Sequence, residues 1–359
     1  MVVLSAINLY DNIRRKYNND WIDRLSHVYS SGALIIFALI FFFESLVDNP
    51  IVCLSNAFED DMWFRYIRSS CYVENKYFIT PNQTDFPLDS TRQSVSVDYY
   101  PWILVLFIIQ AICFVLPHWI WESLNSKTGI PLRSLAIGLT DKIFWMMKPS
   151  KYVSSMYIIY KLANLINVLF QLFFLNSFLL TRYYFGGVKI FWDIVVKDID
   201  WSISGHFPRI VFCDFNRRDD PTSSSFGSTA QCLLQFNLLY ECMYVALWFW
   251  LVIILVINAF SVIGTISFIQ SDNRRLKFVE RLLYPHKNNT YPHKYGKKDE
   301  NVEYFVHKVL GGDGVITLRI LLANLTQYKV SRFTKALFES CKDLPIKKKE
   351  DDAEKVAEP

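Results

Sequence analysis

This sequence carries no catalytic signature. The HExxH, GxSxG, kinase and Walker patterns are all absent from its 359 residues. With them go the local arrangements that zinc proteases, serine hydrolases and nucleotide-driven phosphotransferases need. The six histidines, His27, His118, His206, His286, His293 and His307, are dispersed. No CxxC or nearby histidine pair offers a zinc site. GGDG, at Gly311–Gly314, is followed by no GK[ST]. It reads as a turn between helices, not a phosphate loop. We expect no enzyme, no metal and no cofactor. Internal repeats are also missing. So is a cleavable signal, because the first apolar run starts after about 25 mostly polar residues and is too long for an h-region.

Charge is the next absence. It almost vanishes from four stretches: Leu25 to Phe43, Tyr99 to Trp121, Leu162 to Thr181 and Cys242 to Gln270. About 20 helical residues cover the ~30 Å hydrocarbon core. Barrel strands would alternate, and these runs do not. They predict four transmembrane helices, consistent with 52% hydrophobic residues and a mean hydropathy of +0.18. The fold class expected is an all-α membrane protein, a four-helix bundle with loops outside and a helical domain inside.

The boundaries follow. Residues 1–24 are a polar lead, followed by helices at 25–47, 99–121, 162–185 and 240–270. Between them lie an outer loop at 48–98, an inner loop at 122–161 and a second outer loop at 186–239. A helical domain at 271–340 and a disordered tail at 341–359 complete the chain. Orientation comes from Lys and Arg. Six fall in 122–161 and 18 in 271–359, against four in 48–98 and five in 186–239. Both termini are therefore expected in the cytoplasm, with the lipid bilayer as a partner and no nucleic acid. The first outer loop holds eight acids, among them Glu59, Asp60 and Asp61.

The edge of the second run reads Asp98-Tyr99-Tyr100-Pro101-Trp102. Tyr and Trp favour the membrane–water interface, and proline is tolerated in a first helical turn. Pro117, deep in the same run, should kink the helix. Asn164, Asn167 and Gln171 share one face of the third helix, as interhelical glue or a pore stripe. Glu44, near the outer end of the first helix, either reaches the interface or lines a vestibule. Ile7, Leu9, Tyr10 and Ile13 give the lead a weak amphipathic pattern. That fits a membrane-surface helix or a segment folded into a pore.

Seven cysteines divide unevenly. Cys53 and Cys71 lie in the first outer loop, Cys213 and Cys232 in the second, where disulfides persist. Two bridges are expected, and spacing leaves all three pairings open. Cys113, Cys242 and Cys341 read as ordinary thiols. Asn82 opens a glycosylation sequon in the first outer loop. Sequons at Asn288 and Asn324 fall on the inner side and should stay bare.

These residues resemble one family over nearly the whole chain: the innexins, invertebrate gap-junction proteins related to pannexins. NPIVC at Asn49–Cys53 and WFRYIRSSCYVENKYF at Trp63–Phe78 are similar to the family's first outer loop. DYYPWI resembles its YYQWV signature, with Pro101 in place of Gln and Ile103 in place of Val. KLANLINVLFQLFFLNSFL at Lys161–Leu179 resembles its third span. CDF at Cys213–Phe215 and QC at Gln231–Cys232 resemble its second outer loop. Two cysteines per outer loop is the family's pattern. The resemblance implies an octameric hemichannel, homo- or hetero-oligomeric, docked through its outer loops onto one in the adjacent cell. It also implies bridges from Cys53 to Cys232 and Cys71 to Cys213, and an N-terminal segment in the pore mouth, with Ile7 and Asn8 as pore candidates beside Glu44. The function implied is a gap-junction subunit passing ions and small molecules between cells at the plasma membrane. Two alternatives are an undocked, pannexin-like hemichannel and a non-conducting junctional adhesion protein. The acids Glu59, Asp60 and Asp61 would raise local cation concentration at the docking vestibule.

Overall fold

The computed structural model describes residues 19–54, 61–74, 76–79, 96–126, 152–178, 186–197, 207–217, 226–285 and 300–342. Four helices are long and apolar enough to cross a membrane. They are α1 (Trp21–Val47), α3 (Ile103–Ser126, entered through a 3₁₀ turn at Tyr100–Trp102), α4 (Tyr152–Phe178) and α6 (Asn237–Gln270). Between α1 and α3 lie β1 (Ile51–Leu54), α2 (Asp61–Val73) and β2 (Lys76–Tyr77). Between α4 and α6 lie α5 (Gly186–Phe191), β3 (Ile210–Arg217) and β4 (Phe226–Leu234). After α6 come α7 (Asp272–Leu283), α8 (Glu300–Tyr304), α9 (Gly311–Asn324) and α10 (Gln327–Lys342).

Three helices start earlier than the loss of charge predicts. α1 begins at Trp21, α6 at Asn237 and α4 at Tyr152, so α4 takes in ten residues assigned to the inner loop. Lys161 ended the apolar run in the sequence reading. In the fold it is a buried helical residue whose charge is paired, so the helix continues through it. α3 runs unbroken through Pro117.

Within the described residues the chain forms two compact units. One draws on the ranges Met1–Tyr29, Phe114–Asn167 and Val256–Pro359, the other on Ser30–Cys113 and Val168–Leu255. We call the first the helical unit and the second the loop unit. The loop unit contains a four-stranded antiparallel sheet, in the order β1-β4-β3-β2. Alternation in IVFCDFNR and in STAQCLL carries this sheet. Val211, Cys213 and Phe215 of β3 and Ala230, Cys232 and Leu234 of β4 point inward, as period-two strands require. The loop unit's helix segments pack through Phe37 on Phe107 and Phe41 on Phe236. Gln171 Nε2 donates to the Gln110 carbonyl at 3.2 Å, joining α4 to α3, which is the glue role open to that polar stripe.

The helical unit has its own apolar core. Trp121 and Tyr157 from the long helices meet Val279 of α7, Phe305, Leu318 of α9 and Leu337 of α10. GGDG is not a free turn here. Gly311, at φ 59, ends the preceding helical turn, and α9 starts in the glycine run itself. A Cβ on Gly312 would meet Ser154 Oγ at 3.3 Å, which is why the chain can approach α4 so closely there.

Candidate functional site

Two regions combine buried polar groups with a defined geometry, one in each unit. In the loop unit, the β1–β4 register places Cys53 directly opposite Cys232, and the two are bridged with Cα atoms 4.0 Å apart. Cys71, on the last turn of α2, is bridged to Cys213 of β3, Cα atoms 5.7 Å apart. Sulfurs of Cys53, Cys71 and Cys232 lie within 4.8 Å of one another. They form adjacent disulfides, so none is a thiolate that a metal could take. The two bridges tie α2 and β1 from one loop to β3 and β4 from the other. Each closes a ring of more than a hundred residues, with sequence separations of 179 and 142.

Side chains then fasten this sheet to the helix ends. Tyr100 Oη donates to the Pro50 carbonyl at 2.7 Å and accepts from the Phe236 amide at 3.3 Å. Tyr99 Oη donates to Asn237 Oδ1 at 3.1 Å, and Asn237 Nδ2 donates to the Pro208 carbonyl at 2.7 Å. Burial pushes the Tyr99 hydroxyl well above its ordinary range, though the Asn237 contact works the other way. The two tyrosines are therefore struts between loops, with their hydroxyls satisfied by protein. Only Trp102, 60% exposed, has the free ring that an interfacial belt residue presents. This corrects the expectation that all three rings serve the belt.

Lys76 sits beside the second bridge, opposite Cys213 in the register. Its side chain is buried, and Nζ donates to the Tyr72 carbonyl at 2.8 Å. Burial lowers its pKa to about 8, although Asp98 and Glu74 pull the other way. On the next β2 residue, Tyr77 Oη donates to Asp214 Oδ1 at 3.0 Å, and Thr229 Oγ1 donates to the same oxygen at 2.7 Å.

The helical unit holds a buried ionic knot. Lys161 Nζ lies 3.0 Å from Asp23 Oδ1, 3.5 Å from Asp20 Oδ2 and 2.9 Å from Ser261 Oγ. A lysine has three donors, and all three have an acceptor here. Asp23 Oδ2 accepts from Tyr157 Oη at 2.9 Å and from the Asp20 amide at 3.1 Å. Next to the knot, the rings of His27 and His118 stack 4.0 Å apart. Asn19 Nδ2 lies 3.5 Å from His27 Nε2 and 3.4 Å from His118 Nδ1. Asn258 Nδ2 donates to Ser26 Oγ at 3.0 Å. These contacts fix the first turns of α1 against α4 and α6. Asn324 extends them: its amide donates to the Asn19 carbonyl and accepts from Arg24. The sequon asparagine is thus engaged in structure.

Asp313 is the second anchor. Its carboxylate accepts from the Val153 and Ser154 amides at 3.1 and 2.9 Å, and from Ser154 Oγ at 2.5 Å. The first amides of a helix have no intrahelical acceptor. Here α9 supplies the cap for α4, which begins at Tyr152. Sequence reading missed both anchors, because each joins residues more than a hundred positions apart. Lys161 at the margin of an apolar run was the one available hint.

The other candidates stand apart. Glu44 is exposed in the last turn of α1. Asp61 opens α2. Ile7, Asn8, Glu59, Asp60 and Asn82 lie outside the described residues. Cys113, Cys242 and Cys341 are free thiols.

A sequence model of the family described as Innexin matches residues 19–341. Innexin-16 of Caenorhabditis elegans is 31% identical over 338 residues, covering 88% of each chain. Innexin-6 of the same organism is 27% identical over 357 residues, covering 90% of this chain and 88% of that protein. Innexin unc-9, also from Caenorhabditis elegans, is 24% identical over 371 residues, covering 92% and 94% respectively.

Proposed function

This chain belongs to the innexin family and is a gap-junction channel subunit with four membrane-spanning helices, and from that premise we propose how it is built into the junction. It assembles as an octameric hemichannel, alone or with related subunits, and docks onto a hemichannel of the neighbouring cell. Both termini, the inner loop and residues 271–359 lie in the cytoplasm, and the two disulfide-bonded loops, 48–98 and 186–239, face outward. Its role is conducting, not catalytic. The N-terminal segment, 1–24, contributes Ile7 and Asn8 to the pore mouth, and Glu44 lines the vestibule.

One observation carries this reading. Segments of two distant loops are joined in a single sheet by two bridges. Docking a surface that must first be ordered costs affinity, and a pre-ordered one avoids that cost. Disulfides also persist where the surroundings oxidise, which supports the outward orientation. The acids Glu59, Asp60 and Asp61 give the vestibule a cation preference. Neutralising them should shift hemichannel reversal potentials toward anions, and an unchanged potential would refute that role.

Dual whole-cell recording from paired cells expressing only this chain tests the assembly. Junctional current supports homotypic docking. Current confined to unpaired cells would replace docking with a hemichannel role. Silence in both, with the protein confirmed at the surface, would mean that a partner subunit is required or that the protein joins cells without conducting. Glycosidase treatment reads Asn82: a mobility shift would put glycan bulk on the first loop and count against close apposition there.

A further inference from the structure

Helix α7 begins at Asp272, one residue after α6 ends at Gln270. The charge-free stretch from Cys242 to Gln270 is about 43 Å long at 1.5 Å per residue. That matches the roughly 40–45 Å thickness of a bilayer with its headgroups. With that stretch set across the bilayer, Ser271 falls at headgroup level. α7 does not prolong the span. The Phe278 ring packs edge-on against Phe268, with centroids 5.4 Å apart. On one straight helix those residues would be about 15 Å apart along the axis. Extended backbone at Ser271, φ −93 and ψ 106, makes the break. α7 is folded back onto the end of α6.

Its two faces differ sharply. Val279, Leu282 and Leu283 are buried in the unit's core. Arg274, Lys277 and Arg281 recur at three- and four-residue spacing, which puts them on one helix face, and all three are exposed. The other charges nearby are Arg275, paired with Asp272, half-buried Glu280, and Arg319, whose guanidinium lies 4.8 Å from the Phe268 ring centroid. α10 packs alongside, with Ser331 Oγ donating to the Leu282 carbonyl at 2.5 Å. It adds exposed Lys329, Arg332 and Lys335, with Glu339 the exposed acid on that helix.

We propose that this basic surface binds anionic phospholipid headgroups of the cytoplasmic leaflet, best those carrying more than one phosphate. The proposal rests on the cytoplasmic placement of residues 271–359. A basic cluster directly beyond a span, on an amphipathic helix, lies within reach of the leaflet's negative potential, which decays over about 8 Å at physiological salt. Long Lys and Arg stems reach headgroups while their helix stays packed. Headgroup binding ties the break between α6 and α7 to the charge of the leaflet.

The test uses the full-length channel purified in an uncharged detergent. It is titrated with fluorescent phosphatidylinositol bisphosphate and with phosphatidylcholine, and anisotropy is read. Wild type should bind the bisphosphate lipid and not the choline lipid. The triple variant R274Q/K277Q/R281Q should bind it about 100-fold more weakly at low salt, at roughly five-fold per charge lost. A control triple in the loop unit, R65Q/R68Q/K197Q, should bind as wild type does. Equal affinity for wild type and the α7 variant would overturn the proposal. So would displacement of the lipid by inorganic phosphate at equal concentration, which would make this a free-anion site. An epitope at the C-terminus, stained in unpermeabilised cells, separates the underlying reading. Staining without permeabilisation would overturn the orientation, while the binding result would judge the surface itself.

Discussion

Removing Lys161 should damage this protein more than removing its main partner does. The Lys161 and Asp23 side chains are 2% and 1% exposed, so neither can turn to water. Lys161→Met fills similar volume but leaves Asp23 buried without its cation, with Asp20 as a like charge nearby. Breaking a buried pair from one side costs about 3–5 kcal/mol. Asp23→Asn is milder. Lys161 keeps Asp20 and Ser261, and the loss is that of one charged hydrogen bond, about 1.5–3 kcal/mol. In the double variant no uncompensated charge is left in the knot except Asp20, whose side chain is 12% exposed. The two losses should therefore fall short of additivity by about 2–3 kcal/mol, the upper end of what directly coupled neighbours show. The assay is thermal unfolding of the solubilised channel by tryptophan fluorescence, with surface abundance measured alongside. Lys161→Met should melt lowest, and adding Asp23→Asn to it should restore part of the loss. The reasoning fails if Lys161→Met melts with wild type, or if the single losses simply add.

Three further outcomes are expected. Asp313→Asn should turn an amide donor toward one of the Val153 and Ser154 amides that the carboxylate accepts from, at a cost of about 1–3 kcal/mol; hydrogen exchange should quicken in the first turn of α4 and not in α3. Burial lowers the folded pKa of Lys76 to about 8 from its ordinary 10.5, so the unfolded chain binds more protons between those values and stability should rise with pH across that window. The gain is at most about 3 kcal/mol, and Lys76→Met should abolish it, read as the pH dependence of the melting temperature. Replacing Cys71 and Cys213 together by Ser should lower stability by about 2–5 kcal/mol and abolish junctional current before it lowers surface delivery; retention of both would show that the bridge is dispensable.

Much of this protein was written in local composition. Continuous loss of charge over four stretches marked four spanning helices, because lipid admits only backbones that satisfy themselves. Cysteine content marked two bridges. Motifs such as NPIVC and KLANLIN marked the family, whose model spans residues 19–341. The sheet was less visible. β2 is two residues long, too short for alternation to register, and β1 is four. The tyrosines of DYYPW looked like belt residues because a ring that anchors in an interface and a ring that braces two loops have the same chemistry. Only their partners, the Pro50 carbonyl and Asn237, tell them apart.

By itself, then, the sequence determined which segments enter a membrane, how many bridges are available and which family the chain joins. Each is a property of runs, counts and short motifs. Cysteine spacing left three pairings open and the family resemblance implied one of them; the tertiary structure supplies its physical reason, because strand register places Cys53 opposite Cys232. Tertiary structure alone decided that Lys161 belongs inside a helix bundle, since a buried cation is tolerable only beside the acids that reach it, and Asp23 lies more than a hundred residues away. It also decided that GGDG caps a distant helix, because a cap depends on where a carboxylate stands in space and not on its neighbours along the chain.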